Sequence, residues 1–287
     1  MTWREATDRV TRVFSASLPP VHARAAAWRF TAEVAGTNIA SLLPSAAGDV
    51  IPEREWEAME GAVARLSAGE PEAYVLGRAS FHNIDVRVDR RALIPRPETE
   101  LLVETVIDWC RRGLRATPSI LDLGTGSGCI ALALARALPG SRVTATDICA
   151  RAASLAAENL RSGAGGGAIG VIRADWLSWT TARWDVIVSN PPYIETGSLS
   201  GLPCSVRDWE PRVALDGGAD GFHHIGSIIE QASHHLRPGG LLALEVGIEH
   251  GGKASSTAIA AGFHDVDVAR DLAGRRRVFT AVWEGFS

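Results

Sequence analysis

The feature that most limits how this chain can fold is a regular alternation of strand-like and helix-like segments that starts at residue 119. The apolar segment Ser119–Leu123 leads through a glycine-rich loop into the helical segment Cys129–Leu138, and Arg142–Thr146 leads into the helical segment Arg151–Leu160. Because successive strands that are joined by helices run in the same direction, the pattern predicts a mostly parallel sheet with helices on both faces.

Further apolar segments complete a set of seven predicted strands: Gly170–Arg173, Asp185–Ser189, Leu241–Val246, Val266–Val268 and Val278–Trp283. A helical segment near Gly226–Leu236 precedes the third of these strands. A turn that contains glycine joins the last two, which are therefore predicted to form an antiparallel hairpin. The expected architecture is α/β and Rossmann-like, with a mostly parallel seven-stranded sheet that ends in this C-terminal hairpin.

Two shorter regions precede the predicted sheet. Residues 1–75 are expected to form a small all-α domain, because apolar residues recur at helical spacing without strand-like alternation, as in Trp56, Met59, Val63 and Leu66. Residues 76–95 contain short alternating apolar segments that favour a β-hairpin linker. The chain is thus divided into a helical domain (1–75), a linker (76–95) and an α/β domain (96–287).

Composition argues against several classes of protein. The net charge of −4 and the scattered arginines disfavour a nucleic-acid partner, which usually requires a basic surface. No apolar run approaches the ~18 residues of a membrane span, and the N-terminus lacks the apolar segment of a signal peptide, so a cytoplasmic protein is predicted. The four cysteines and eight histidines show no ligand spacing, and no metal site is predicted.

The glycine-rich loop Asp122–Gly128 is the candidate cofactor site. It follows a strand and opens a helix, and its glycines let the backbone approach a ligand closely. A dinucleotide-binding fingerprint needs a third glycine at position 129, where this chain has Cys129, so a dehydrogenase is disfavoured. S-adenosyl-L-methionine has no phosphate and suits such a loop, which gives these candidate residues: Gly124, Thr125, Gly126, Ser127 and Gly128.

Two acidic positions extend this candidate site. Asp147 ends the second predicted strand, where a carboxylate can accept hydrogen bonds from ribose hydroxyls; its alternative role is a helix N-cap. Asp175 and Trp176 follow the third strand and could bind the adenine amine and cover the adenine ring. Their alternative role is a turn aspartate beside a core tryptophan.

The most specific chemical signal is the turn Asn190–Pro191–Pro192–Tyr193, which directly follows an apolar strand. The Asn190 side-chain carbonyl and the Pro191 backbone carbonyl can each accept a hydrogen bond from one NH2 group and so aim its nitrogen at a sulfonium methyl. Tyr193 can lie against the flat face of the amide or base, and two prolines stiffen the turn. We therefore predict an S-adenosylmethionine-dependent N-methyltransferase that acts by positioning, with these four residues catalytic and substrate-binding and with Asn190 also close to the cofactor.

Taken together, these motifs resemble the HemK/PrmC family of protein-(glutamine-N5) methyltransferases over about residues 24–283. The likeness is strongest in these segments: Gly69–Pro71, Tyr74–Gly77, Leu93–Glu100, Asp122–Gly128, Val188–Ile194, Glu210–Pro211, Ala214–Leu215 and Asp271–Arg275. The segment Ile94-Pro95-Arg96-Pro97-Glu98-Thr99-Glu100 is the most specific, whereas many methyltransferases share the glycine loop. The sequence departs from the family's pattern at Phe81–Asn83 and at His223–His224. These departures bear on partner specificity rather than on the chemistry.

The resemblance implies a class I methyltransferase fold and a substrate, the glutamine in the Gly-Gly-Gln loop of class 1 peptide chain release factors. It also implies that the helical domain docks the release factor. S-adenosyl-L-homocysteine is expected as the second product, and a monomer without nucleic-acid or membrane partners is expected. Methylation would modulate translation termination. Two alternatives remain open: a nucleic-acid adenine-N6 methyltransferase, which would need a basic cleft, and a non-catalytic S-adenosylmethionine-binding module.

Overall fold

The computed structural model describes residues 2–16, 18–42, 49–113, 117–163 and 168–285. The chain divides into two compact units. The first comprises residues 1–78 together with 204–209, and the second comprises residues 79–203 and 210–287.

The first unit is helical in its described N-terminal part. Its helices are α1 (Trp3–Phe14), α2 (Pro20–Val34), α3 (Ile39–Leu42), α4 (Glu53–Ser67) and α5 (Glu72–Leu76). Helix α1 begins with a capping box, in which Thr2 and Glu5 satisfy each other's backbone N–H groups. Met59 and Leu66 of the predicted apolar face are buried in a core with Phe30, and Trp56 and Val63 pack partly buried against it. The predicted helical N-terminal region is confirmed.

A two-stranded hairpin follows, formed by β1 (Arg78–Phe81) and β2 (Ile84–Arg87). His82 and Asn83 connect the strands with φ angles of 49° and 59°. A two-residue hairpin turn with both residues in the left-handed region matches the twist of the strands, and asparagine tolerates that region well. The turn therefore forms without glycine.

The second unit contains the sheet that the alternating pattern predicted. Its seven strands are β3 (Ser119–Leu123), β4 (Arg142–Asp147), β5 (Ala168–Arg173), β6 (Trp184–Ser189), β7 (Leu236–Glu245), β8 (Phe263–Arg270) and β9 (Arg276–Trp283). They are arranged in the order β5-β4-β3-β6-β7-β9-β8. Strands β3 to β7 pair in parallel, whereas β9 is antiparallel to both β7 and β8. The predicted fold class is confirmed.

The remaining helices are α6 (Pro97–Arg112), α7 (Cys129–Ala137), α8 (Ala150–Gly163), α9 (Cys204–Arg207), α10 (His223–His235) and α11 (Gly251–Ala260). Helix α11 was missed by the sequence analysis, which places no helix there. Its sequence lacks large apolar residues at helical spacing, because it packs through small residues such as Ala254 and Ala258. None of the described helices is long and apolar enough to cross a membrane.

The strand order fixes where a ligand can bind. Strands β4 and β5 lie on one side of β3, and the chain then returns to the other side of β3 with β6 and β7. In open parallel sheets, ligands bind outside the carboxyl ends of the strands at the point where the order reverses. Here that point lies between β3, which leads into the glycine loop, and β6, which leads into the turn at Asn190.

Candidate active site

A cleft of about 1080 Å³, partly open to solvent, lies at this reversal point. Residues that follow β3, β4, β5 and β6 line it together with the segment before α6. The described residues that line it all belong to the second unit.

The glycine loop has the backbone that only glycine adopts readily. Gly124, Gly126 and Gly128 have φ angles of 65°, 57° and 81°. Between them, the backbone N–H of Thr125 donates to the Thr146 carbonyl at 2.8 Å, which ties the loop to the end of β4. Residues 124–127 line the cleft.

Gly128 does not line the cleft. A Cβ atom at this position would lie 3.2 Å from both Cα and Cβ of Ala156. The glycine therefore lets α7 and α8 approach each other closely, and its conformation as the N-cap of α7 is left-handed. Of the five loop residues predicted to bind the cofactor, four line the cleft, whereas Gly128 lies against Ala156 of α8.

Asp147 ends β4 and faces the cleft. Its Oδ2 accepts a hydrogen bond from the Gly126 N–H at 2.9 Å, and its Oδ1 accepts one from the Cys149 N–H at 2.8 Å. Burial raises the pKa of this carboxyl, while the two backbone donors oppose the rise. Each carboxylate oxygen can accept a further hydrogen bond, so Asp147 can bind ligand hydroxyls while it shapes the loop.

Trp176 and Asp175 also line the cleft, beyond the end of β5. Trp176 has a φ of 42°, and its ring would lie 3.4 Å from a Cβ atom at Gly124, so the glycine makes room for the indole. The His224 ring lies at 5.4 Å from the Trp176 ring, between centroids. Burial and the neighbouring His223 lower the pKa of His224, which favours the neutral ring beside the indole. His224 was not predicted from the sequence as a site residue.

The turn after β6 brings only part of the predicted catalytic group into the cleft. Asn190 and Pro192 line it, whereas Pro191 and Tyr193 are absent from the lining. The Asn190 Nδ2 donates to Thr99 Oγ1 at 3.1 Å, and the Tyr193 hydroxyl donates to Glu245 Oε1 at 3.1 Å. This bond uses one of the two Nδ2 hydrogens, and Oδ1 is the acceptor that the Asn190 amide can offer to a ligand.

The turn is held from behind by the segment at residues 215–218. The Ile194 N–H donates to the Leu215 carbonyl at 3.1 Å, and the Gly217 N–H donates to the Ile194 carbonyl at 2.7 Å. A Cβ atom at Gly217 would lie 2.7 Å from Tyr193 Cα, which is too close for any other residue without a backbone shift. The turn is therefore fixed by backbone hydrogen bonds and by direct backbone packing.

The comparisons with known proteins agree with this geometry. Residues 97–201 match the family model described as "Methyltransferase small domain". The chain is 42% identical over 242 residues to a release factor glutamine methyltransferase of Moorella thermoacetica, with 84% of this chain and 81% of that protein covered. This chain belongs to the release factor glutamine methyltransferase family.

A second member of the family, from Cereibacter sphaeroides, is 38% identical over 81% of this chain and 82% of its own length. Among solved structures, a methyltransferase from Pyrococcus furiosus superposes with a TM-score of 0.52 at 18% identity. The superposition covers 79% of this chain and all of that one. At that identity, the likeness concerns the methyltransferase fold alone.

In this member of the family, several residues around the cleft were given no site role from the sequence, although Glu210 lies in a segment that carries the family likeness. Glu210 is buried and accepts hydrogen bonds from the Ile94 N–H at 3.1 Å and from the Arg96 guanidinium at 2.5 Å, which holds the segment before α6 as one wall of the cleft. Asn159 of α8 donates to the Ser127 carbonyl at 2.7 Å and exchanges two hydrogen bonds with the Arg87 backbone. It thereby links the hairpin to the glycine loop. No periodic pattern marks such single polar residues.

Proposed function

We propose that this protein transfers the methyl group of S-adenosyl-L-methionine to the side-chain amide nitrogen (N5) of the glutamine in the Gly-Gly-Gln loop of class 1 peptide chain release factors. Membership in the release factor glutamine methyltransferase family supports the reaction and the substrate. The observation that carries the chemistry is the Asn190 amide, which lines the cleft with Nδ2 bound to Thr99 and Oδ1 left for a substrate NH2 group.

The cleft fits S-adenosylmethionine in shape and in donor set. The left-handed glycines at 124 and 126 form a cradle without side chains, Asp147 offers acceptors for ribose hydroxyls, and Trp176 offers an aromatic face for adenine. We propose that residues 124–127, Asp147, Trp176 and Asn190 hold this cofactor, while Gly128 lets the loop enter α7. When bound, it supplies an electrophilic methyl group and leaves as S-adenosyl-L-homocysteine.

The protein's own part in the reaction is to orient the glutamine. Asn190 Oδ1 and the Pro191 carbonyl would each accept one hydrogen of the substrate NH2 group, which fixes the nitrogen and turns its lone pair toward the methyl group. The bound cofactor would supply the methyl group to this nitrogen, and the nitrogen would lose one proton to solvent. Pro192 stiffens the turn, and the predicted contact of Tyr193 with the amide face stays a prediction.

We further propose that residues 1–75 dock the release factor and that the enzyme works as a monomer in the cytoplasm, where release factors act. Removal of residues 1–75 should lower activity on a whole release factor at least ~10-fold more than on a short glutamine peptide, because docking stabilises only the whole substrate. Calorimetry with S-adenosylmethionine checks that the shortened protein still folds, and equal losses on both substrates would contradict docking.

The direct test is transfer of labelled methyl from S-adenosylmethionine to a purified release factor. A release factor with Gln→Ala in its Gly-Gly-Gln loop and a DNA duplex serve as controls. We expect label on the wild-type release factor alone, at N5 of that glutamine by mass spectrometry. Label on DNA would favour the adenine methyltransferase alternative, and cofactor binding without any transfer would favour a non-catalytic binding module.

A further inference from the structure

A chain of hydrogen bonds connects the turn at Asn190 to a buried carboxylate that the sequence analysis did not single out. Asn190 Nδ2 donates to Thr99 Oγ1 at 3.1 Å, and the Thr99 hydroxyl donates to Glu245 Oε2 at 2.6 Å. The other carboxylate oxygen, Oε1, accepts the Tyr193 hydroxyl at 3.1 Å. Glu245 is 1% exposed and Thr99 is 2% exposed, so solvent does not compete for these bonds.

Three separate elements supply this network. Thr99 lies in the first turn of α6, Glu245 is the last residue of β7, and Asn190 and Tyr193 belong to the turn after β6. A buried glutamate is costly unless its oxygens are hydrogen-bonded, and here both oxygens receive hydroxyl donors. The carboxylate thus connects both ends of the Asn190–Tyr193 turn to the fold.

The direction of the hydrogen bonds follows from the count of protons. The Thr99 hydroxyl has one hydrogen, which goes to the carboxylate of Glu245, so Thr99 can only accept from its other neighbour. The group of Asn190 that faces Thr99 must then be the NH2 and not the carbonyl. This orientation leaves Asn190 Oδ1 for the ligand, which is the atom that an incoming NH2 group needs.

Protonation of Glu245 would remove this constraint. A protonated Oε2 could donate to Thr99, the Thr99 hydrogen could then turn to Asn190 Oδ1, and the amide would present its NH2 to the substrate instead. Two NH2 groups that face each other cannot form a hydrogen bond, because neither offers an acceptor. The ionised form of Glu245 therefore selects the orientation that can bind the glutamine amide.

We propose that Thr99 and Glu245 are positioning residues that fix the Asn190 amide with its oxygen toward the substrate amide. Neither touches the reacting atoms; both act through Asn190. The proposal rests on the proposed function for its kinetic consequences, but the state of the Asn190 amide can be measured without any substrate or cofactor.

The kinetic test compares substitutions along α6. Thr99→Val keeps the shape but removes the hydroxyl, and should lower kcat by ~10²-fold, since small misplacements of a catalytic group have such effects, with the KM for S-adenosylmethionine near that of the wild type. Thr99→Ser restores the hydroxyl and should recover most of the rate. Thr105→Val is the matched control, because the Thr105 hydroxyl donates to the Leu101 carbonyl of its own helix. A Thr99→Val enzyme with wild-type kcat would overturn the proposal.

The pH dependence of kcat tests the role of Glu245. Burial raises its pKa above the ordinary value of 4.5, the hydroxyls of Thr99 and Tyr193 and the charge of Arg277 lower it, and the charge of Glu98 raises it. The net result is a raised pKa, so Glu245 takes up a proton at a higher pH than an ordinary glutamate does. As the solution is made more acidic, the wild-type kcat should therefore begin to fall at that higher pH. Glu245→Gln should lack this acidic limb and remain ~10-fold or more slower at every pH. The wild-type profile in this variant would contradict the proposal.

Amide NMR of the protein alone keeps this test independent of the proposed function. The sequence contains four asparagines and one glutamine, so five side-chain NH2 pairs are expected, and Asn190→Ala identifies one by its loss. The Asn190 pair should exchange slowly with solvent in the wild type, Thr99→Ser and Thr105→Val, and rapidly in Thr99→Val. Equally rapid exchange in the wild type would refute the positioning role, whereas absence of methyl transfer with slow exchange would refute only the proposed function.

Discussion

Buried acids have different hydrogen-bond partners at the two ends of the parallel strands, which we call the amino edge and the carboxyl edge of the sheet. At the amino edge, Asp185 accepts hydrogen bonds from the N–H and the hydroxyl of Ser119, at 2.9 and 2.8 Å, and from the Arg237 guanidinium at 2.7 Å. At the carboxyl edge, Glu245 receives only two hydroxyls, and Asp147 only two backbone N–H groups. Among these interactions, the one in which a cation donates directly to the acid is the bond from Arg237 to Asp185, at the amino edge.

The pKa values follow this difference. Burial would raise the pKa of Asp185, but the bonds from Ser119 and Arg237 outweigh it, and the pKa lies below its ordinary value. At the carboxyl edge, burial raises the pKa of Asp147 and Glu245, and raises that of Asp122 to about 7 despite a hydrogen bond from Thr125. The ionised acid at the amino edge thus stabilises the fold. The acids at the carboxyl edge have raised pKa values, so their protonation and hydrogen bonding can change, which is typical of functional sites.

Among the substitutions that test this difference between the two edges, Asn190→Ala at the carboxyl edge is expected to have the largest effect. The change removes the carbonyl that would hold the substrate NH2 group, so kcat for release factor methylation should fall by ~10²-fold or more. Binding of S-adenosylmethionine, measured by calorimetry, and the urea midpoint should stay near wild-type values, because the segment at residues 215–218 holds the backbone of the turn. Unchanged turnover would exclude the proposed role of Asn190.

A smaller effect at the same edge is expected from Asp147→Ala. The substitution removes acceptors for the ribose hydroxyls and also releases the Gly126 and Cys149 N–H groups, so the Kd for S-adenosylmethionine should rise about 10- to 100-fold, the range for a hydrogen bond to a charged group. Calorimetry measures this directly. Asp108→Ala on the exposed face of α6 is the control. An unaltered Kd in Asp147→Ala would refute the ribose assignment.

The sheet was predictable from the sequence because each strand and most helices leave a periodic pattern. Segment Asp185–Ser189 was predicted almost as the structure has it, since β6 is buried throughout and reads as one apolar run. Helix α11 was missed because its buried residues are alanines, whose pattern is weak. Strand β7 begins at Leu236, not at Leu241, because Pro238, Gly239 and Gly240 conceal its first half.

The site was predictable where a motif concentrates its chemistry in consecutive residues, as in the glycine loop and the Asn190 turn. Thr99 and Glu245 lie 146 positions apart in the sequence and meet because α6 packs against β7. Glu245 ends an apolar strand, and nothing in its neighbourhood distinguishes a buried acid from an exposed one. Contacts between distant single residues need the tertiary structure, whereas local motifs do not.

The smallest expected effect tests the amino edge. Asp185→Asn removes the charge that Arg237 and Ser119 surround, and should lower the free energy of unfolding by about 1–2 kcal/mol, since Arg237 is 42% exposed and solvent screens part of the ion pair. The kcat should not change, because Asp185 lies at the opposite edge from the cleft. Asp108→Asn, in an exposed pair with Arg112, should change stability by less than about 0.5 kcal/mol.

The pH dependence of stability sharpens this last prediction. Because the pKa of Asp185 in the folded protein lies below its ordinary value of 3.8, its contribution is fully present above that value and is lost as the pH falls through the lowered pKa. Urea unfolding of the wild type and Asp185→Asn should therefore differ at neutral pH and converge in acid. A difference that persists at the lowest pH would mean that the asparagine disturbs packing, and that the charge of Asp185 does not stabilise the amino edge.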